Sequence, residues 1–170
     1  TMSVTDRRTI TNVGTELGAT SASCPTDEKT REWLAKFDRE DEFVDLSADD
    51  DAEYADTIEL DLSELEPLIA KPSMPDNVVP VREVAGTEVD QVMVGSCTNG
   101  AYEDILPAAK MLEGRQVNPT TEMIIAPGSK QASELLAREG WTAELMAAGV
   151  NFSEATCGAC IGIGHVPASD

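Results

Sequence analysis

Four cysteines carry the first chemical signal in this 170-residue sequence. They stand at positions 24, 97, 157 and 160, and the last two form a C-x-x-C pair. This number is too low for a secreted disulfide scaffold, so in a reducing compartment the thiols indicate metal ligands or redox groups. On its own the C-x-x-C pair is compatible with half of a zinc site, a redox dithiol or chance.

Glycines on both sides of the cysteines favour a bulky inorganic group. Cys97 lies in GSCTNG, whereas Cys157 and Cys160 lie in TCGACIG, and glycines let the backbone approach such a group closely. Three thiolates without a fourth fit a 4Fe-4S cluster whose open iron acts as a Lewis acid. A structural zinc prefers four ligands and would need Cys24 or His165, so it stays an alternative.

After residue 90 the sequence predicts alternating strands and helices, which must position these residues. It predicts strands over 91–94, 122–126 and 150–152, and helices over 102–112, 131–138 and 142–148. Such alternation is typical of an α/β fold with a parallel sheet. GSCTNG, PGS at 127–129 and TCGACIG each follow one strand. Because the carboxyl ends of parallel strands share one edge, we expect the three cysteines after residue 90 to converge there.

The sequence of the first half of the chain predicts fewer regular elements. A helix is expected after Pro25, with Thr26 as its cap. The other expected elements are a short strand over 8–11, a half-exposed strand in TIELDLSEL (57–65) and an extended connector in KPSMPDNVVPV (71–81).

An acidic stretch over 39–56 separates the two halves. It predicts a linker or surface loop and not a calcium site, because it lacks the glycine and terminal glutamate of an EF-hand. We therefore place a domain boundary near Tyr54, with one partial α/β domain over 1–54 and a second α/β domain over 55–170.

The charge balance excludes several classes of partner. With 12 basic and 32 acidic side chains the net charge is −20, which repels nucleic-acid backbones and anionic membranes. It also indicates a halophilic source, because at molar salt the Debye length falls to about 3 Å. The polar residues 1–8 do not resemble a signal peptide and no apolar run is long enough to span a membrane, so we expect a cytoplasmic protein.

Four segments together resemble the aconitase family of iron–sulfur hydro-lyases. They are TNVGTELGAT, GSCTN, APGS and CGACIG, and the resemblance runs from about Thr9 to Pro167. It implies an incomplete three-layer α/β/α fold with a mainly parallel sheet. Residues 1–54 would then belong to the second family domain, and 55–170 to the third, iron–sulfur domain, truncated at its C-terminus.

The resemblance also implies a set of site residues. Cys97, Cys157 and Cys160 would bind the 4Fe-4S cluster, Asn12 would hydrogen-bond it, and Glu16 would act beside the open iron. Ala159 stands where the family usually has proline. The change frees a φ angle without removing a ligand.

The implied function is that of an aconitate hydratase, which interconverts citrate and isocitrate through cis-aconitate. The alternatives are the large subunit of a 3-isopropylmalate dehydratase, a homoaconitase, or a non-enzymatic zinc or redox module. An iron-responsive RNA-binding protein is disfavoured by the acidity. Family enzymes are several times longer, so we expect a fragment that needs the remaining domains to act on a tricarboxylate and is inactive alone.

Overall fold

The computed structural model describes residues 2–166. The chain forms two compact units: one comprises Gly14–Thr87 and the start of the chain up to Arg7, and the other comprises Arg8–Val13 and the chain from Glu88 onwards. The assignment of 1–54 and 55–170 to two family domains stays a prediction. Its outermost residues, 1 and 167–170, lie outside the described part.

A capping box starts the first helix, α1, Val4–Glu16. The Ser3 backbone N–H donates to Asp6 Oδ2 at 3.0 Å, and the Asp6 N–H donates to Ser3 Oγ at 3.1 Å. These bonds satisfy backbone groups that a helix start leaves without partners. The prediction of a strand over 8–11 is therefore wrong, because the β-branched residues of this segment lie inside helix α1, which begins at Val4.

The second helix, α2, Glu28–Ala35, is capped by Asp27 and not by Thr26. Asp27 Oδ1 accepts the Thr30 N–H at 3.2 Å, and Arg7 Nη2 lies 2.5 Å from Asp27 Oδ2. Thr26 instead donates its hydroxyl to the Val44 carbonyl at 2.8 Å. The helix expected after Pro25 is confirmed, with its cap moved by one residue.

A small antiparallel ribbon completes the first unit. It pairs β1, Leu68–Ala70, with β2, Val78–Pro80, so part of the expected connector over 71–81 is a strand. The strand expected over 57–65 is wrong, since these residues are exposed and contain one 3-10 turn, Leu62–Glu64. Further 3-10 turns are Glu40–Glu42 and Val81–Val84.

The second unit contains the predicted parallel sheet. Its strands are β3, Gln91–Gly95, β4, Glu122–Ala126, and β5, Asn151–Phe152, in the order β3-β4-β5. Gln91 pairs with Glu122, and Asn151 pairs with Ile124. The α/β class is thereby confirmed.

Four helices accompany this sheet: α3, Ser96–Asn99; α4, Tyr102–Leu112; α5, Lys130–Arg138; and α6, Trp141–Ala147. Helices α4, α5 and α6 contact one another. The core that they share with the sheet is formed by Ile105, Ala109, Ile125, Leu136, Leu145 and Val150. Helix α4 begins at Tyr102, as predicted, and contains Pro107.

Within residues 2–166, none of the helices has the length and apolar character needed to cross a membrane.

Candidate functional site

Two loops meet backbone to backbone at the carboxyl edge of the sheet. The Gly128 N–H, after β4, donates to the Gly100 carbonyl, after β3, at 2.7 Å. A Cβ at Gly100 would lie 2.3 Å from the Ser96 carbonyl oxygen and 2.4 Å from Gly128 N. No side chain fits into such a gap, so glycine permits this contact.

The third loop reaches the same edge through a side-chain contact. Ser96 Oγ, directly after β3, lies 3.3 Å from Cys160 Sγ in the loop after β5. Cys160 belongs to a 3-10 turn, Ala159–Ile161, whose Ile161 N–H donates to the Gly158 carbonyl at 3.0 Å. The two cysteine loops thus lie together, as the order of strands predicts.

The surroundings of Cys160 favour its charged form. The Ser96 hydroxyl, followed by the backbone at Gly158, lowers the pKa of this thiol, because these hydrogen bonds stabilise the thiolate. The thiolate is the form that binds metals.

Cys97 and Cys157, like Cys160, are free and exposed. Cys97 is the second residue of α3, and Cys157 precedes the turn that holds Cys160. Between residues 2 and 166, no group of three or more His, Cys, Asp or Glu side chains is close enough to hold a metal ion. The donor set nevertheless fits an iron–sulfur cluster, since three unpaired thiols are soft ligands carried on glycine-rich loops.

The middle of α1 contacts the loop that carries Cys97. Asn12 Nδ2 donates to the Cys97 carbonyl at 2.8 Å, and Thr9 Oγ1 donates to the Thr98 carbonyl at 3.2 Å. Arg8 Nη2 lies 3.5 Å from Asp104 Oδ2 on α4. Asn12 therefore holds the backbone of one expected ligand.

None of these contacts involves Glu16, or Cys24 and His165, which the zinc alternative would need. Glu16 is the exposed last residue of α1, and Cys24 is half-buried; both belong to the first unit. His165 pairs with Glu122, its Nδ1 lying 3.0 Å from Oε1, and Glu122 begins β4 at the opposite edge from the cysteine loops.

Two contacts in this unit are not predicted from the sequence. Ser96 stands inside GSCTN next to Cys97, so its position was a usable signal. The Glu122–His165 contact joins residues 43 positions apart, and nothing in the local sequence indicates it.

Comparison with known proteins places the chain among related sequences. The sequence model of the aconitase family (aconitate hydratase) matches residues 1–88 and 82–169. The 3-isopropylmalate dehydratase large subunit 1 of Methanopyrus kandleri is 43% identical over 165 residues, covering 97% of this chain and 39% of that protein. The large subunit 2 of Archaeoglobus fulgidus is 40% identical over 162 residues, covering 95% and 39%. The large subunit of a Sulfurihydrogenibium species is 42% identical over 165 residues, covering 97% and 38%.

The chain thus spans about two fifths of the length of the curated relatives it matches.

Proposed function

Because the chain belongs to the aconitase family, we propose that it supplies the cluster ligands of an iron–sulfur hydro-lyase of the 3-isopropylmalate dehydratase type. The relatives named above are large subunits of that enzyme. They favour the isopropylmalate alternative over the expected aconitate hydratase, and the citrate reaction is not retained as the main assignment.

The observation that carries this proposal is the contact between Ser96 and Cys160 at 3.3 Å. It joins the loop containing Cys97 to the loop containing Cys157 and Cys160. We propose these three cysteines as the ligands of a 4Fe-4S cluster. When bound, the cluster supplies a Lewis acid for the substrate hydroxyl.

The chain's own residues prepare this edge for ligand binding. Ser96 stabilises the Cys160 thiolate by its hydrogen bond. Asn12 fixes the backbone at Cys97. The turn Ala159–Ile161 forms with Ala159 at the usual proline position, so the ligand loop keeps a defined conformation without the ring.

Two assignments rest on family resemblance alone. We propose that the Asn12 side chain also serves the bound cluster, and that Glu16 hydrogen-bonds at the reacting oxygen of the substrate. Their support is their place in TNVGTELGAT.

The substrate and partner follow from the same relatives. We propose isopropylmalate as the substrate, and a small subunit or further domains as the partner that completes the site, because the relatives are named as large subunits.

The test is an anaerobic hydratase assay of the chain together with the parts that complete the enzyme. Isopropylmalate and citrate are offered separately, and formation of the unsaturated acid is followed by absorbance. Turnover of isopropylmalate with little turnover of citrate supports the proposal. Turnover of citrate alone would favour the aconitate hydratase assignment instead. A preparation that contains zinc in place of iron would contradict both enzyme assignments.

A further inference from the structure

Glu122 receives three side-chain hydrogen bonds at the amino edge of the sheet. Gln91 Nε2 donates to Oε2 at 2.6 Å, and Asn151 Nδ2 donates to Oε1 at 3.0 Å. His165 Nδ1 lies 3.0 Å from Oε1. Gln91 and Asn151 are the first residues of β3 and β5, so the carboxylate joins all three strands and the segment after the cysteines.

The Glu122 carboxylate accepts all three of these hydrogen bonds. The hydrogen bond from Gln91, followed by that from His165, lowers the pKa of Glu122, so the side chain is ionised at neutral pH. It then has no proton to give, and His165 Nδ1–H must be the donor.

Side-chain alternation places the Glu122 side chain on the sheet face away from the main core. Met123 and Ile125 pack with the main core, and successive residues of a strand point to opposite faces. Glu122 and Ile124 therefore share the other face. Ile124 has no exposed surface, so this face is covered at its centre.

The segment 160–165 joins the two edges of the sheet. At its start Cys160 meets Ser96 at the carboxyl edge, and at its end His165 meets Glu122 at the amino edge. The segment is not extended, since Ala159–Ile161 is a 3-10 turn, and the two side-chain contacts show that it reaches both edges in this conformation.

The backbone hydrogen bonds of this segment are internal to its turn: the N–H groups of Ile161, Gly162 and Ile163 donate to the carbonyls of Gly158 and Ala159. Ile161 and Ile163 are exposed, and Gly162 and Gly164 adopt positive φ angles of 75° and 78°. A glycine-containing, exposed segment loses much conformational entropy when it is fixed. Since the turn's own hydrogen bonds do not tie it to the sheet, its position against the sheet depends on the contacts of Cys160 and His165 at its two ends.

We propose that Glu122 and His165 are positioning residues that anchor the segment after Cys160 and thereby hold the cysteine loop at the sheet edge. That this loop carries ligands rests on the proposed function. The anchoring itself is a property of the chain without metal.

Hydrogen exchange of the metal-free chain, followed by mass spectrometry, tests the anchor. His165→Ala removes the donor, whereas His165→Asn keeps a donor nitrogen close to the position of Nδ1. Lys130→Ala, which removes an exposed ion pair with Glu134 at 3.8 Å on α5, is the matched control.

We expect peptides over 158–166 to exchange about fivefold faster or more in His165→Ala, with β3 and β4 unchanged. His165→Asn and Lys130→Ala should exchange as the wild type does. Unchanged exchange in His165→Ala, faster exchange spread evenly over the sheet, or no rescue by His165→Asn would each overturn the proposal.

A second measurement separates this proposal from the assigned function. In iron-loaded protein, His165→Ala should release iron to a chelator several-fold faster than the wild type or His165→Asn, and an equal rate would overturn the link between anchor and ligand loop. If the wild type binds no iron, the proposed function fails, while the exchange result still decides whether the anchor exists.

Discussion

Ser96 combines burial, an unusual backbone conformation and contact with a reactive group. It is 7% exposed, has a φ angle of 68°, and places its hydroxyl 3.3 Å from the Cys160 thiol. A left-handed conformation costs a non-glycine residue about 1–2 kcal/mol, and such strain is concentrated at functional sites. Here the strained residue connects the two cysteine loops.

Replacing this serine tests its effect on the thiol. In Ser96→Ala the lost hydroxyl no longer stabilises the thiolate, so the pKa of Cys160 should rise. At a pH below that pKa, a smaller thiolate fraction should make alkylation of Cys160 by iodoacetamide slower. The measurement is the pH dependence of site-resolved alkylation in metal-free chain, with Cys157 as the internal control.

The lowered pKa of Cys160 also determines how the stability of the folded chain changes with pH. Since folding lowers the pKa of Cys160, its hydrogen bonds stabilise the folded chain above the pKa of the unfolded thiol. This contribution is lost as pH falls through the folded pKa. An unchanged or lower pKa in Ser96→Ala would contradict the role given to the serine.

At the scale of elements, the close approach of the loops after β3 and β4 is the contact most sensitive to substitution. Gly100→Ala would place a Cβ 2.3 Å from the Ser96 carbonyl oxygen, and forcing backbone apart costs roughly 1–3 kcal/mol. We expect a lower free energy of unfolding by about that amount in urea titrations.

Gly14→Ala is the matched control for this substitution. Gly14 lies inside α1, and a Cβ there would sit 3.5 Å from Ala22 Cβ, an ordinary contact. Alanine should therefore stabilise the chain by roughly 0.5–1 kcal/mol. If Gly100→Ala were as stable as the wild type, the loops would not be packed as described.

The elements of the second unit could be predicted because local pattern and packing agree there. Strand β4 and helix α4 have the predicted bounds, 122–126 and 102–112, since their apolar residues face one core. Among residues 2–7 and 14–87, which the structure describes in the first unit, none is buried, so the alternation over 57–65 had no apolar core to pack against and formed no strand. The helix over 8–11 was signalled by Ser3 and Asp6, whose capping box overrides the strand preference of the residues after it.

The site was predictable only to the level of loops. The order of β and α elements was enough to bring GSCTNG, PGS and TCGACIG to one edge. The contact of Ser96 with Cys160 depends on a single backbone conformation. The cluster around Glu122 depends on strand register, which sets Gln91 opposite it, and neither can be read from spacing.

At the scale of the whole molecule, the net charge of −20 is the dominant feature. Ion pairs such as Lys29–Glu32, 3.6 Å apart, are exposed and contribute little each. Repulsion among the remaining carboxylates opposes compaction in dilute buffer.

Salt should therefore stabilise the chain. Between dilute buffer and molar KCl the Debye length shrinks to about 3 Å, and we expect Tm to rise by several degrees or more. Differential scanning calorimetry across this range is the measurement. A Tm that stays flat would remove the inference of a halophilic source and leave the assigned chemistry untouched.

We propose above that Cys97, Cys157 and Cys160 together hold an iron–sulfur cluster. The most direct test of this proposal is the iron content of anaerobically purified and reconstituted protein, compared with three cysteine-to-alanine variants at these positions. Cys24→Ala is the matched control, because Cys24 lies in the first unit. We expect about four irons per chain in the wild type and in Cys24→Ala, and loss of the cluster in each of the three variants. Loss of iron from Cys24→Ala together with retention in Cys157→Ala would contradict it.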